Sequence, residues 1–140
     1  MTNPEHWVVD TNVLISASLS RQGSPYQLVQ HLLAHAVLVF SNETFEELTT
    51  RLHRPKFDRY ISRELRERLL HDLSSSAMWV EPGPHPRWSR DPDDDKFIAT
   101  ALRVPGAWLV SGDQDLLTVE APDGLRILTP AQAVQALAGR

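Results

Sequence analysis

Five short apolar runs, interleaved with stretches of helical spacing, constrain this chain more than any other feature of its sequence. The runs are "HWVVD" (6–10), "VLVF" (37–40), "MWVE" (78–81), "AWLVSGD" (107–113) and "RILT" (126–129). Each is the length of a buried strand. Between them the spacing changes to that of helices. "SPYQLVQHLLAHA" opens with Ser24 as the expected cap and Pro25 at the first helical position, and Leu28, Val29, Leu32, Leu33 and Ala36 form one apolar face. Phe45, Leu48 and Leu52 repeat the pattern, as do Leu65, Leu69, Leu70 and Leu73 in "SRELRERLLHDLSSSA". A loop rich in proline, "PGPHPRWSRDP", leads into a helix carrying Phe97, Ile98, Ala101 and Leu102, and "PAQAVQALAG" closes the chain with a short helix. Strands alternating with helices predict an α/β sandwich with a mainly parallel sheet.

Ligands of such sheets bind beyond the carboxyl ends of the strands. Asp10 ends the first run and Asp113 follows the fourth. Glu47 lies in the helix after the second run, and Asp94 opens the helix before the fourth. All four are expected to meet on one edge.

Each of these acids also has an ordinary structural explanation. Asp91 before Pro92 makes a good helix cap, and Asp93 and Asp94 in a first turn gain about 0.3–1 kcal/mol each from the helix dipole. Glu47, three residues after Thr44, could close a capping box, and Asp113 could belong to a Gly-Asp turn. Taken together they are harder to explain this way. Two carboxylates about 4 Å apart repel by about 4 kcal/mol at an effective dielectric of about 20, more than the dipole returns. Converging oxygen ligands call for a divalent cation, and in a chain with no cysteine Mg²⁺ or Mn²⁺ fits better than zinc.

At 140 residues the chain fits one domain, expected over residues 1–140. No apolar run approaches the roughly 18 residues of a membrane span. The start, "MTNPEHW", lacks the basic and apolar regions of a signal peptide, and the lack of cysteine fits a cytoplasmic location. A net charge of −4 argues against nonspecific coating of nucleic acid. The charge is uneven, however: seven of the 14 basic residues fall between Arg51 and Arg68. That stretch reads either as a solvated helix face or as a surface for a nucleic-acid backbone.

"VVDTNVLISA", "EELTTRLHRPKF", "DPDDDKFIATAL" and "WLVSGDQDLL" stand in the order and spacing of the PIN-domain ribonucleases. The chain resembles that family from Trp7 to Ala133, and within it the VapC-like toxin branch of toxin–antitoxin systems. The resemblance implies a three-layer α/β/α fold with a five-stranded parallel sheet and a Mg²⁺- or Mn²⁺-dependent endoribonuclease. It places the family's four carboxylates on Asp10, Glu47, Asp94 and Asp113, as catalytic residues and metal ligands. Helical angles alone do not separate Glu47 from Glu46, so that choice rests on the resemblance. Thr11, Asn12 and Ser111 are expected as supporting polar groups, with Asp91 and Asp115 as outer partners. Asp95 stands where this branch more often has asparagine, and "SGD" replaces the commoner Thr-Gly-Asp. Asp91 is expected to act also as a cap, and Asp93 and Asp95 to face solvent.

The chemistry implied is in-line hydrolysis of an RNA phosphodiester, leaving a 5′-phosphate. Arg51, Arg54, Lys56 and Arg59 would hold the RNA backbone. A small antitoxin protein and a second copy of the chain are the other partners the resemblance suggests. The main rival is a catalytically silent RNA- or protein-binding module, which predicts lost site residues, whereas all four are present. A dehalogenase-like phosphatase would need an aspartate at Asn12 and a lysine shortly before Gly112, and has neither. His31 and His35 have the spacing of a zinc pair, but Leu32 replaces the glutamate of such motifs and no third ligand is evident. Trp79 is expected in the core, and Trp88 is open between packing and base stacking.

Overall fold

Alternation within each strand decides the layering. The computed structural model describes residues 3–139, so residues 1, 2 and 140 of the expected domain lie outside the described residues. In β1 (His6–Val9), Trp7 and Val9 join one apolar cluster and Val8 joins another. In β2 (Val37–Phe40), Leu38 and Phe40 part from Val39 in the same way. Leu109 of β4 (Trp108–Val110) and Ile127 of β5 (Arg126–Leu128) also face away from their neighbours Val110 and Leu128. Successive side chains of a strand point to opposite faces, so both faces of this sheet must be covered.

Helices cover them. One face packs against α1 (Thr11–Leu19), α2 (Ser24–His35), α3 (Asn42–Leu52), α4 (Arg63–Ser76) and α7 (Pro130–Ala138). The other packs against α5 (Asp95–Leu102) and the four-residue α6 (Gln114–Leu117). With β3 (Met78–Trp79) at one edge, the five parallel strands run in the order β3-β2-β1-β4-β5. The expected three-layer α/β/α sandwich is the fold observed. The direction of strand addition reverses between β1 and β4, and the crevice at such a switch point is where ligands bind in these sheets.

Several local expectations need correction. Asp10 lies past β1 and caps α1, accepting a hydrogen bond from the Val13 N–H at 3.0 Å. Gly23, not Ser24, occupies the cap of α2, at φ 91, a value that glycine adopts without the steric cost of a Cβ. The capping box of α3 pairs Ser41 with Thr44 and does not involve Glu47. Leu33 and Leu65 are exposed although they fit their helical stripes, whereas Arg66 is 3% exposed and binds Asp58 at 3.0 Å. Trp79 is 42% exposed and so is not a core residue, because β3 is a two-residue edge strand. Its ring rests on Phe40 and Phe45 from one side only, and its indole N–H donates to Ser74 O. Trp88 packs against the α5 side of the sheet and stacks on His85. Among the described residues, no helix is long and apolar enough to cross a membrane.

Candidate functional site

The crevice between β1 and β4 is built from ladder hydrogen bonds that run one residue past the strands. The Asp10 N–H donates to Val110 O at 3.0 Å, and the Ser111 N–H donates to Leu128 O at 2.9 Å. These bonds fix Asp10 and Ser111 side by side in the buried layer. The Ser111 hydroxyl donates to Asp10 Oδ2 and accepts from the Asp113 N–H at 2.9 Å. Asp113 caps α6, its Oδ1 accepting from the Asp115 N–H at 2.9 Å. One serine thus orients two of the expected carboxylates.

Asp94 arrives from the other direction. Asp91 accepts from the Asp93 N–H at 3.0 Å and caps the short 3-10 turn Pro92–Asp94, which leads directly into α5. One oxygen from each of Asp91, Asp94 and Asp115 lies within 4.8 Å of the others. Asp94 Oδ2 is buried and has no hydrogen-bond partner. Its pKa rises from the ordinary 3.8 to about 7, first through burial, then through a hydrogen bond to Asp113, then through the charges of Asp113, Asp91 and Asp10. A bond between two carboxyl groups exists only while one carries a proton, so the ionised Asp94 meets no donor there. The pKa of Asp10 is also raised, chiefly by burial, with the charges of Asp113 and Glu47 adding to it and the bonds from Ser111 and Val13 opposing it. Carboxylates gathered so closely strain one another when all are ionised.

Glu47 is held differently. The Thr11 hydroxyl donates to its Oε2. Arg51 Nη2 and Lys96 Nζ both reach its Oε1, each at 2.9 Å. Glu47 is turned inward with its side chain 12% exposed, while Glu46 beside it is exposed. α3 and α5 are braced just behind this pair, where the Thr100 hydroxyl donates to Lys96 O at 2.7 Å and lies within hydrogen-bond distance, 3.0 Å, of the Ser41 hydroxyl.

Of the supporting groups, Thr11 and Ser111 touch the carboxylates directly, and Asp91 and Asp115 flank Asp94. Asn12 is exposed and makes no side-chain hydrogen bond among the described residues. Asp95, expected to face solvent, is 1% exposed. It accepts from the Ser89 N–H at 2.7 Å and the Trp88 N–H at 3.2 Å, pinning the preceding loop to the start of α5. Lys96 is the site residue the sequence reading missed. Its only local signal is being the single base directly after three acids, at the head of the buried stripe of α5.

Beside Glu47 lies an open groove of about 400 Å³, lined by Arg51, Arg54 and Lys96 together with Glu43, Glu46 and Thr50. Of the residues expected on an RNA surface, Arg54, Lys56 and Arg59 are exposed and Arg51 is tied to Glu47. Lys56 and Arg59 lie over Phe57 and Tyr60.

The chain is similar to several known proteins. Residues 6–115 match the family model described as PIN domain. An uncharacterized protein of Methanocaldococcus jannaschii, MJ1680, is 29% identical over 114 residues, covering 80% of this chain and 73% of its own length. The PIN domain of T. brucei RRP44 superposes with a TM-score of 0.52 at 14% identity, over 99% of this chain and 83% of that one, and shares the fold. The PIN domain endonuclease Utp24 overlaps 89% of this chain and 84% of its own with a TM-score of 0.49 and 12% identity.

Proposed function

The chain belongs to the PIN-domain family, and we propose that it is an endoribonuclease that cleaves RNA phosphodiesters with Mg²⁺ or Mn²⁺ held by Asp10, Asp94 and Asp113 and bordered by Glu47. The buried Oδ2 of Asp94, which no donor faces when the carboxyl is ionised, carries this reading. An oxygen with no donor, among carboxylates whose charges oppose one another, fits a hard divalent cation with oxygen ligands. Such a cation supplies Lewis-acid stabilisation of negative charge on phosphoryl oxygens and activates water.

The chain's own residues set up the rest. Each oxygen of Asp10 accepts one hydrogen bond, from Val13 and from Ser111, and so keeps capacity for a ligand. Glu47 has three of its roughly four acceptor sites in use, so it serves at the rim more readily than at the centre. Asp94 titrates at about 7, within the neutral range, and a cation ligated at that carboxyl would displace the proton it carries there. Arg54, which lines the groove beside Glu47, and the exposed Lys56 and Arg59 that follow it in the chain would hold the RNA backbone.

Incubation of single-stranded RNA with the protein in Mn²⁺ should give products bearing 5′-phosphates, and EDTA or Asp10→Asn should stop cleavage. Cleavage that persists in EDTA, or products ending in 2′,3′-cyclic phosphate, would defeat the mechanism. The finer form of the reading is a cytoplasmic toxin held in check by a small antitoxin. A short reading frame directly upstream, whose product binds the chain and suppresses cleavage, would support it. A product that neither binds nor inhibits would leave a ribonuclease without that role.

A further inference from the structure

Two cations share one carboxylate oxygen at the mouth of the site. Arg51 Nη2 and Lys96 Nζ each lie 2.9 Å from Glu47 Oε1, so a single negative charge answers two positive ones. The side chains of Arg51 and Lys96 are 32% and 21% exposed, and both line the groove beside Glu47. Lys96 sits two residues after Asp94, on a helix braced to α3 through Thr100 and Ser41. Its ammonium is therefore held at the border between the groove and the carboxylates. An RNA phosphate approaching Asp10, Asp94 and Asp113 enters a negative field, and the exposed Glu43 and Glu46 add to it. The two cations that share Glu47 Oε1 offset that repulsion at the border of the crevice.

We propose that Lys96 is a phosphate-contacting residue, positioned by Glu47 to receive the RNA backbone as it enters the acidic crevice. The proposal rests on the ribonuclease reading for its ligand. It differs from a purely structural ion pair in what it predicts for binding.

The test is fluorescence anisotropy with a short labelled single-stranded RNA, in EDTA and across a series of KCl concentrations. Wild type, Lys96→Ala, Lys96→Arg, Glu47→Gln and the Lys96→Ala/Glu47→Gln double variant are compared, each with a melting curve. Lys96→Ala should weaken binding about 3–10-fold at low salt and flatten the logarithmic salt slope by about 0.7, the loss of one phosphate contact on a single strand. Lys96→Arg should keep the slope. Glu47→Gln should tighten binding by freeing positive charge, and most of that gain should vanish in the double variant. Should Lys96→Ala fail to fold, Lys96→Gln takes its place. A salt slope that Lys96→Ala leaves unchanged, a Glu47→Gln gain undiminished in the double variant, or no wild-type binding at any salt would overturn the proposal. Cleavage of the same RNA in Mn²⁺ is scored alongside. Cleavage with an unchanged slope defeats the role of Lys96 alone, whereas loss of the expected slope pattern is not implied by absent cleavage, which defeats the nuclease reading.

Discussion

Asp94 in the fold titrates at about 7, above its ordinary 3.8, so the folded state binds a proton that the unfolded chain has already released. Between those two values stability must fall as pH rises, and it levels off above the upper one. Asp10, also raised, pulls in the same direction. In EDTA, the melting temperature of wild type should decline from about pH 4 to pH 7, while Asp94→Asn, nearly isosteric and uncharged, should decline less and equal or exceed wild type at pH 8. An Asp94→Asn protein clearly less stable than wild type at pH 8 in EDTA would show the carboxylate acting as a helix-terminus stabiliser. Which aspartates of "DPDDD" matter was only partly legible. Asp91 precedes a proline and Asp94 has the spacing of a known pattern, so both could be assigned roles. The buried role of Asp95 is not legible, because the Trp88 and Ser89 amides it serves lie in a loop whose path leaves no periodic trace in the sequence. The role of Lys96 leaves no local sign because its partner, Glu47, lies on a different helix.

α4 shows how a stripe of apolar residues can mislead. Leu65 fits the stripe but is exposed, while Arg66 is buried against Asp58, whose own side chain is 69% exposed. The two partners therefore have unequal roles. Removing Asp58 leaves a buried guanidinium whose Nε already lacks a partner, whereas replacing Arg66 with methionine removes the charge and keeps the bulk. Asp58→Ala should cost about 1–3 kcal/mol in a denaturant melt, well above the usual effect of an exposed residue. Arg66→Met should be close to neutral, and adding it to Asp58→Ala should restore most of the loss. Equal costs for the two single substitutions would mean that the ion pair itself is what both residues contribute, and that the buried guanidinium carries no penalty of its own. Other elements were hidden for physical reasons. α1 buries Thr11, Val13, Leu14 and Ile15 almost in succession, so no one-sided stripe marks it as a helix. α6 is too short to show a period. Half of MWVE lies outside its strand because pairing at the sheet edge extends only over Met78 and Trp79.

The layered architecture could be read from strands alternating with helices, but the strand order could not, since placing β4 beside β1 depends on contacts between distant segments. That placement is what brings Asp10 to Asp113. A cation that binds only the folded molecule should raise its melting temperature in proportion to the logarithm of metal concentration once the site is filled. Millimolar Mn²⁺ should therefore stabilise wild type and do little for Asp94→Asn, and an equal rise in both would mean that the ion binds elsewhere. The amides of Asp10 and Ser111 are locked to Val110 and Leu128, so the acidic crevice hangs on three adjacent strands in the middle and far side of the sheet. Those two amides can exchange with deuterium only when the sheet itself opens, at the free energy of global unfolding. In a native-state exchange experiment they should rank with Val8 and Leu109, and the exposed loop around Gly83 should exchange far sooner. The crevice is thus as rigid as the core, and any adaptation to substrate falls to the side chains at the groove.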